Sequence, residues 1–171
     1  MNEKPRVFNV LFLCSANSAR SIMAEALMAR WGKGKFHTFS AGSHPAGTIH
    51  PRTLDLLARY GHDVAGLHSK SWDAFTTEGA PALDFVFTVC DQVAGETCPV
   101  WPGRPISAHW GVPDPVAATG DGPTVERAFR DAYLILEARI KLFCALRVEA
   151  LDSLTLRKRL EEIGLSPETA A

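Results

Sequence analysis

The run Val7-Phe-Asn-Val-Leu-Phe-Leu13, continuing directly into Cys14-Ser-Ala-Asn-Ser-Ala-Arg20 and then Ser21-Ile-Met-Ala-Glu-Ala-Leu27, decides the fold. A mostly apolar, strand-forming segment enters a loop of small residues, and the loop opens a segment with helical apolar spacing. A strand, a tight loop and a helix N-terminus together make an anion cradle. Backbone N–H groups converge there, and the helix end adds partial positive charge. This cradle carries a thiol at one end, Cys14, and a guanidinium at the other, Arg20. That pairing points to thiolate attack on a tetrahedral oxyanion.

Spacing alone would not separate this loop from chance, because Cys98-Pro-Val-Trp-Pro-Gly-Arg104 has the same interval. Context does. The second segment contains two prolines, follows no apolar run and opens no helix, so it cannot present a row of free N–H groups.

Working outward, Arg6–Leu13 reads as a central parallel strand, apolar on both faces. Ser21 to Trp31 reads as a helix with Ile22, Met23, Ala26 and Leu27 inward, stopped by Gly32 and Gly34. A short strand is expected over 36–40. A helix from Pro51 carries Leu54, Leu57 and Ala58 and ends near Gly61. An extended piece is expected at 63–67 and a helical turn at 71–76, whose Trp72 and Phe75 fill the core or rim a cleft. Leu83–Val89 reads as the third strand, with Cys90 at its carboxyl end. From Ala94 to Gly122 the chain is rich in Pro and Gly, with one short strand around 106–109; so long a loop region points to function. Val125, Phe129, Ala132, Leu136, Ile140 and Phe143 predict one long helix to about Val148. Leu151, Leu154, Leu160 and Ile163 predict a shorter last helix, followed by a frayed tail.

Four strands alternating with helices argue for an open α/β sheet, whose ligands bind beyond the carboxyl ends of the strands. Cys14 and Cys90 both fall there. The 171 residues suit a single domain, with its core over about 6–148 and the last helix at about 151–163. At 46% hydrophobic, 22% charged and net charge −1, the composition is that of a globular protein without a nucleic-acid patch. No apolar run is long enough for a membrane span or a signal peptide, so the cytoplasm is the expected compartment. In a reducing compartment the four cysteines, 14, 90, 98 and 144, are expected to be reduced, catalytic or buried. None of their spacings makes a zinc knuckle, and no metal is assigned.

Within the loop, Ser15, Ala16, Asn17, Ser18, Ala19, Arg20 and Ser21 form the candidate oxyanion-binding segment. The helix end, the loop amides and Arg20 favour the Cys14 thiolate, and Arg20 can hold an oxyanion through two parallel hydrogen bonds. Ser18 and Ser21 either donate to sulfur or cap the helix. Asn17 tolerates a left-handed backbone. Asp114, between two prolines in Trp110-Gly-Val-Pro-Asp-Pro115, is either a general acid or a turn residue. Cys144 falls on the apolar side of the long helix and reads as core.

Cys90 and Cys98 are surplus to phosphate hydrolysis. They suit reduction of an oxyanion such as arsenate: a second thiolate releases arsenite from a Cys14 adduct, and a third moves the disulfide outward.

These pieces resemble the low-molecular-weight protein tyrosine phosphatase superfamily, and within it the thioredoxin-coupled arsenate reductases. The matching residues are Val10–Ser21, Met23–Ala26, Phe39-Ser-Ala-Gly42, Thr88-Val-Cys-Asp91, Cys98-Pro99 and His109-Trp-Gly-Val-Pro-Asp-Pro115. The resemblance implies a doubly wound, three-layer α/β sandwich with a four-stranded parallel sheet. It assigns the nucleophile to Cys14, the anion-binding arginine to Arg20, a loop-shaping role to Asn17, a supporting hydroxyl to Ser21 and the general acid to Asp114. Cys90 becomes the resolving cysteine and Cys98 the shuttle to thioredoxin or another thiol donor, with no bound cofactor. The alternative function is a low-molecular-weight phosphatase or small-molecule phosphomonoesterase working through a Cys14 phosphocysteine.

Several residues depart from the pattern. Ala19 stands where many members carry a further cysteine, and Val116 stands where the phosphatases carry tyrosine. The Cys90–Cys98 interval is one residue longer than the commonest reductase spacing. Asn17, Glu25 and Ser40 resemble part of a potassium site, but the Thr and Asp that complete it are serines around 69–71.

Overall fold

Both faces of the opening apolar run are covered, which makes it an interior strand. The computed structural model describes residues 6–96 and 98–165. β1 (Phe8–Cys14) lies between β2 (Phe36–Gly42) and β3 (Phe85–Thr88), and β4 (Ile106–His109) forms the far edge, giving the order β2-β1-β3-β4 with every pair parallel. Val10 to Leu13 are fully buried. Helices flank the sheet, as the doubly wound α/β reading expects: α1 (Arg20–Trp31), α2 (Pro51–Arg59), α3 (Asp91–Ala94), α4 (Gly122–Cys144) and α5 (Ser153–Gly164).

This order places the topological switch between β1 and β3, where successive connections leave in opposite directions and a crevice opens at the carboxyl ends of the strands. β1 ends on Cys14. The β1–β3 pairing runs one bond further, with the Val89 N–H donating to the Leu13 carbonyl at 2.9 Å, and so delivers Cys90 beside Cys14.

Beneath this edge an aromatic cluster fills the core. The Trp110 ring stacks on Phe87 at 3.9 Å between centroids, Phe12 stacks on Phe87 at 5.5 Å, and Phe143 from α4 meets Phe87 edge-on at 5.3 Å. Trp110 also donates from Nε1 to the Leu160 carbonyl of α5 at 3.0 Å, so its one polar atom is satisfied. Phe75 is buried against Phe39, as the core reading expects, and Trp72 is partly buried and packs edge-on to Trp101.

Several local expectations shift. Residues 63–67 are not a strand: Asp63 Oδ1 accepts from the Ala65 N–H, and the Leu67 N–H donates to the Val64 carbonyl, which closes a turn through Ala65 and Gly66. The buried face of α2 is Thr53, Leu56 and Leu57, with Leu54 half-buried and Ala58 exposed, because the Thr53 hydroxyl donates to the Ser18 carbonyl and draws that side inward. α4 ends at Cys144, and a 3-10 turn at Val148–Ala150 follows. Asp152 caps α5 at Thr155 N–H, so Leu156, Leu160 and Ile163 face inward and Leu154 is 79% exposed. α3 is one turn long, too short for any periodicity to announce it. The frayed tail expected at 166–171 lies outside the described residues. No helix among the described residues is long and apolar enough to cross a membrane.

Because Trp110 is fully buried, stacked and hydrogen-bonded, truncation leaves a cavity and removes the tie from this segment to α5. Trp110→Ala is expected to lower the urea unfolding free energy by about 3–5 kcal/mol, read as a shift of the denaturation midpoint.

Candidate active site

The loop that follows β1 is shaped from outside. The carbonyls of Cys14, Ser15, Ala16 and Ser18 accept N–H groups from Ser43 (3.3 Å), His44 (2.9 Å), Ala46 (2.9 Å) and His50 (3.0 Å) in the segment between β2 and α2. With the carbonyls turned outward, the peptide N–H groups turn toward the loop interior. The Asn17 N–H lies on the Cys14 sulfur. β2 approaches closely enough that a Cβ on Gly42 would sit 2.4 Å from the Ser15 carbonyl oxygen, so only glycine permits this packing.

Asn17 is the hub. Its φ of 48° is left-handed, as its residue type allows. Its buried side chain accepts the Lys70 N–H at Oδ1 (2.9 Å) and donates from Nδ2 to Ser21 (2.8 Å) and Ser40 (3.0 Å). Three bonds of about 1 kcal/mol each outweigh a backbone cost of about 1–2 kcal/mol. They also set polarity. With Asn17 donating to Ser21 Oγ, the Ser21 hydrogen is free to point at Cys14, and the Ser21–Cys14 bond favours the thiolate. Ser21 is therefore not a cap: the α1 N-cap is Ala19, without a side-chain bond, and the described contacts of Ser18 run through its carbonyl.

Ser40 in turn donates to Glu25, and the Lys70 ammonium lies 3.0 Å from the Ser40 carbonyl and 3.9 Å from the Glu25 carboxylate. Burial pushes the Glu25 carboxyl up and the Lys70 amine down, and each partner's charge opposes that shift. The polar space below Asn17 thus already contains a cation. That cation, the Lys70 ammonium, stands beside Ser40 and Glu25, two of the three residues that resemble part of a potassium site.

Cys14 is 3% exposed and Cys90 1%, and hydrogen bonding from Cys90 is the largest cause acting on the Cys14 thiol. That bond, then those from Ser21, the Arg20 charge and the Asn17 N–H, overcome burial and pull the Cys14 thiol down from 9.0 to about 5. The same contact, with burial, pushes the Cys90 thiol far up. Cys14 is the charged member at neutral pH, and Cys90 keeps its proton.

Arg20 opens α1. Its guanidinium donates to the Val112 carbonyl at 2.9 Å, and its second nitrogen is 3.6 Å from Asp114 Oδ2. Asp114 also accepts the Val116 N–H at 3.0 Å, starting the 3-10 turn at Pro115–Ala117, so it is a turn residue whose carboxylate lies beside Arg20.

Cys98 is exposed and shares an open cleft with Thr88, Ala94 and His109; burial and the Glu96 carboxylate push its thiol up. Arg104, the far end of the competing Cys–Arg pair, has a left-handed φ of 51° and opens no helix. Cys144 is half-buried against the core, its Sγ 3.7 Å from Met28 Sδ. The structure therefore brings Cys14, Ser21, Arg20, Cys90 and Asp114 together and leaves Cys98 on the adjoining cleft. Sequence reasoning did not reach Lys70 or the carbonyl-binding segment at 43–50. Gly42, at a strand end, carried a signal that could have been read.

Residues 9–154 match the family model described as low molecular weight phosphotyrosine protein phosphatase. An arsenate reductase from Halalkalibacterium halodurans is 31% identical over 138 residues, covering 78% of this chain and 93% of that protein. A solved arsenate reductase from Archaeoglobus fulgidus superposes with a TM-score of 0.62 at 28% identity, covering 80% of this chain and 99% of that one. The thioredoxin-dependent arsenate reductase Cg_ArsC1' from Corynebacterium glutamicum superposes with a TM-score of 0.57 at 26% identity; the match covers 80% of this chain but 59% of that structure.

The thiolate state has a direct readout. Iodoacetamide alkylation of Cys14, followed by peptide mass spectrometry, is expected to fall with a midpoint near pH 5, because protonation removes the nucleophile as pH drops through the lowered pKa of about 5. Cys90→Ala removes the largest stabilising bond and is expected to move that midpoint upward. An unchanged midpoint would contradict the hydrogen-bond origin of the shift.

Proposed function

The chain belongs to the low molecular weight phosphotyrosine protein phosphatase family, and from that premise we propose that it is an arsenate reductase working through Cys14, Cys90 and Cys98. The observation that carries this reading is the placement of two buried thiols at the carboxyl ends of neighbouring strands: Cys14 ends β1, the Val89 N–H donates to the Leu13 carbonyl, and Cys90 follows at once. Phosphomonoester hydrolysis needs one thiolate; reduction through an internal disulfide needs a second thiol near the first.

The chemistry then runs in three steps. The Cys14 thiolate attacks arsenate, Arg20 and the loop amides hold the oxyanion, and Asp114 protonates the departing oxygen, which leaves as water. While Cys14 is a thiolate it is the largest cause of the raised Cys90 pKa; forming the sulfur–arsenic bond removes that thiolate. Cys90 then attacks Cys14 at sulfur. The sulfur–arsenic bond breaks with its electron pair on arsenic, arsenate becomes arsenite, and the Cys90 proton goes to an arsenite oxygen. Finally Cys98 attacks Cys90, freeing the Cys14 thiolate and leaving a Cys90–Cys98 disulfide for an external dithiol. Because Cys98 is exposed, it is the one that offers this disulfide to a partner. The C. glutamicum relative is described as thioredoxin-dependent, which supports thioredoxin as that partner. Ala19 excludes a disulfide within the loop.

Cys14, Arg20 and Asp114 would equally serve a phosphatase through a Cys14 phosphocysteine, so their loss cannot distinguish the two activities. Cys90→Ser is expected to reduce arsenate-dependent thioredoxin oxidation to background while sparing any slow aryl-phosphate hydrolysis; full turnover by that variant would sink the relay. Cys98→Ser is expected to complete one turnover and stop with a Cys14–Cys90 disulfide, identified by peptide mapping. A stable Cys14–Cys98 bond in the oxidised wild type, with Cys90 free, would refute the order.

A further inference from the structure

Cys90 lies between two residues held by one imidazole. His109 Nδ1 is 2.7 Å from Thr88 Oγ1, and Nε2 is 2.7 Å from Asp91 Oδ1. A carboxylate only accepts, so Nε2 carries a hydrogen and the ring's orientation is fixed. Thr88 is two residues before Cys90, and Asp91 is the next residue, the first of α3.

The bracket is built rather than incidental. A Cβ on Gly111 would lie 2.8 Å from His109 Nε2 and 2.9 Å from Asp91 Oδ1, so the glycine leaves the space in which the pair forms. The strand end carrying His109 is itself fixed. Trp110 N–H donates to the Thr88 carbonyl at 2.7 Å, Val112 N–H to the Val89 carbonyl at 3.1 Å, and buried Arg139 to the Gly111 carbonyl at 2.8 Å. Across from this rigid strand end is a weak element. α3 is one turn long, and Cys90, its N-cap, supplies no side-chain capping bond. The Asp91 side chain is 93% exposed, so packing does not hold it. Thr88 and His109 also line the cleft that contains Cys98.

We propose that His109 is a positioning residue: bridging Thr88 and Asp91, it seats the Cys90 thiol on the Cys14 sulfur and holds it there until the first disulfide forms. This rests on the reading of Cys14 as nucleophile and Cys90 as its partner thiol. A bracket made of an exposed carboxylate and a half-exposed imidazole is firm enough to orient one thiol. It is also open enough to release α3 when Cys90 turns to Cys98.

The groups facing the Cys14 sulfur are the Cys90 thiol from the β3 end, Ser21 and Arg20 from α1 and the Asn17 N–H, with Asp114 behind Arg20. The His109 side chain bonds to none of them but to Thr88 and Asp91, on either side of Cys90, and D91A tests that bracket without altering the 109–112 segment. The test uses the reduced, full-length enzyme without arsenate, so it stands whether or not the protein reduces arsenate. The pH midpoint of Cys14 alkylation is measured by peptide mass spectrometry for wild type, H109A, D91A, D91N and the H109A/D91A double variant, alongside thermal unfolding. Loss of one hydrogen bond to the thiolate corresponds to a rise of about one pH unit. H109A and D91A are each expected to show that rise, and the double variant no more than either. D91N, which keeps an oxygen for Nε2–H, is expected to remain near wild type. Should H109A unfold, the D91A and D91N pair decides alone, since Asp91 is a surface residue. Wild-type midpoints in H109A and D91A, or additive shifts in the double variant, would overturn the proposal. So would a D91N midpoint as high as that of D91A.

Discussion

The site depends on one constraint: the backbone after β1 must turn its carbonyls away from the anion position and its N–H groups toward it. A short loop cannot do this unaided, because its carbonyls need partners. Here the segment after β2 supplies them, taking the carbonyls of Cys14, Ser15, Ala16 and Ser18 in succession. β2 can approach only because Gly42 has no side chain. Asn17 then accepts a left-handed backbone and fixes it with three side-chain bonds. The cradle is thus imposed by the surrounding fold, so it is formed before any ligand arrives, which is what electrostatic stabilisation of a transition state requires.

The same scaffold resolves an electrostatic problem. Burying a thiolate is unfavourable, and at Cys14 burial alone would raise the pKa. Hydrogen bonds and the Arg20 charge reverse the sign, and the largest of these bonds comes from a second thiol. One contact therefore has two effects. It makes Cys14 nucleophilic, and it keeps Cys90 protonated and unreactive while Cys14 is free. In the proposed relay, arsenic bonding to Cys14 is the event that removes the charge restraining Cys90.

How much of this was legible in the sequence depended on the range of the interaction. The strand–loop–helix was readable because its signals are local: an apolar run, small residues and then helical spacing. The left-handed Asn17 was readable from residue type. The pairing of Cys14 with Cys90 was legible only as two cysteines on one sheet edge; the strand order β2-β1-β3-β4 makes their strands neighbours. Lys70 was not legible. Its ammonium reaches Ser40 and Glu25 from a loop with no periodicity, and nothing in its neighbours distinguishes it from a surface lysine. The shifted faces of α2 and α5 have a related cause. Apolar spacing fits more than one rotation of a short helix, and a tertiary bond such as Thr53 to Ser18, or a cap such as Asp152, selects among them.

Residues 109–112 connect these parts. His109 brackets Cys90, Trp110 anchors the segment to the aromatic core and α5, Gly111 is fixed by Arg139, and Val112 receives Arg20. Asp114 follows two residues later, 3.6 Å from the same guanidinium. The groups proposed to bind the oxyanion, protonate its leaving oxygen and receive the first disulfide are thus all referenced to one extended segment beside β3. A displacement of that segment would move Arg20, Asp114 and Cys90 together rather than one at a time. Such coupling explains why so much of the segment's hydrogen-bonding capacity is directed at the core: for a reaction in which three groups must act on one centre, common anchoring preserves their relative geometry even when the surrounding loops move.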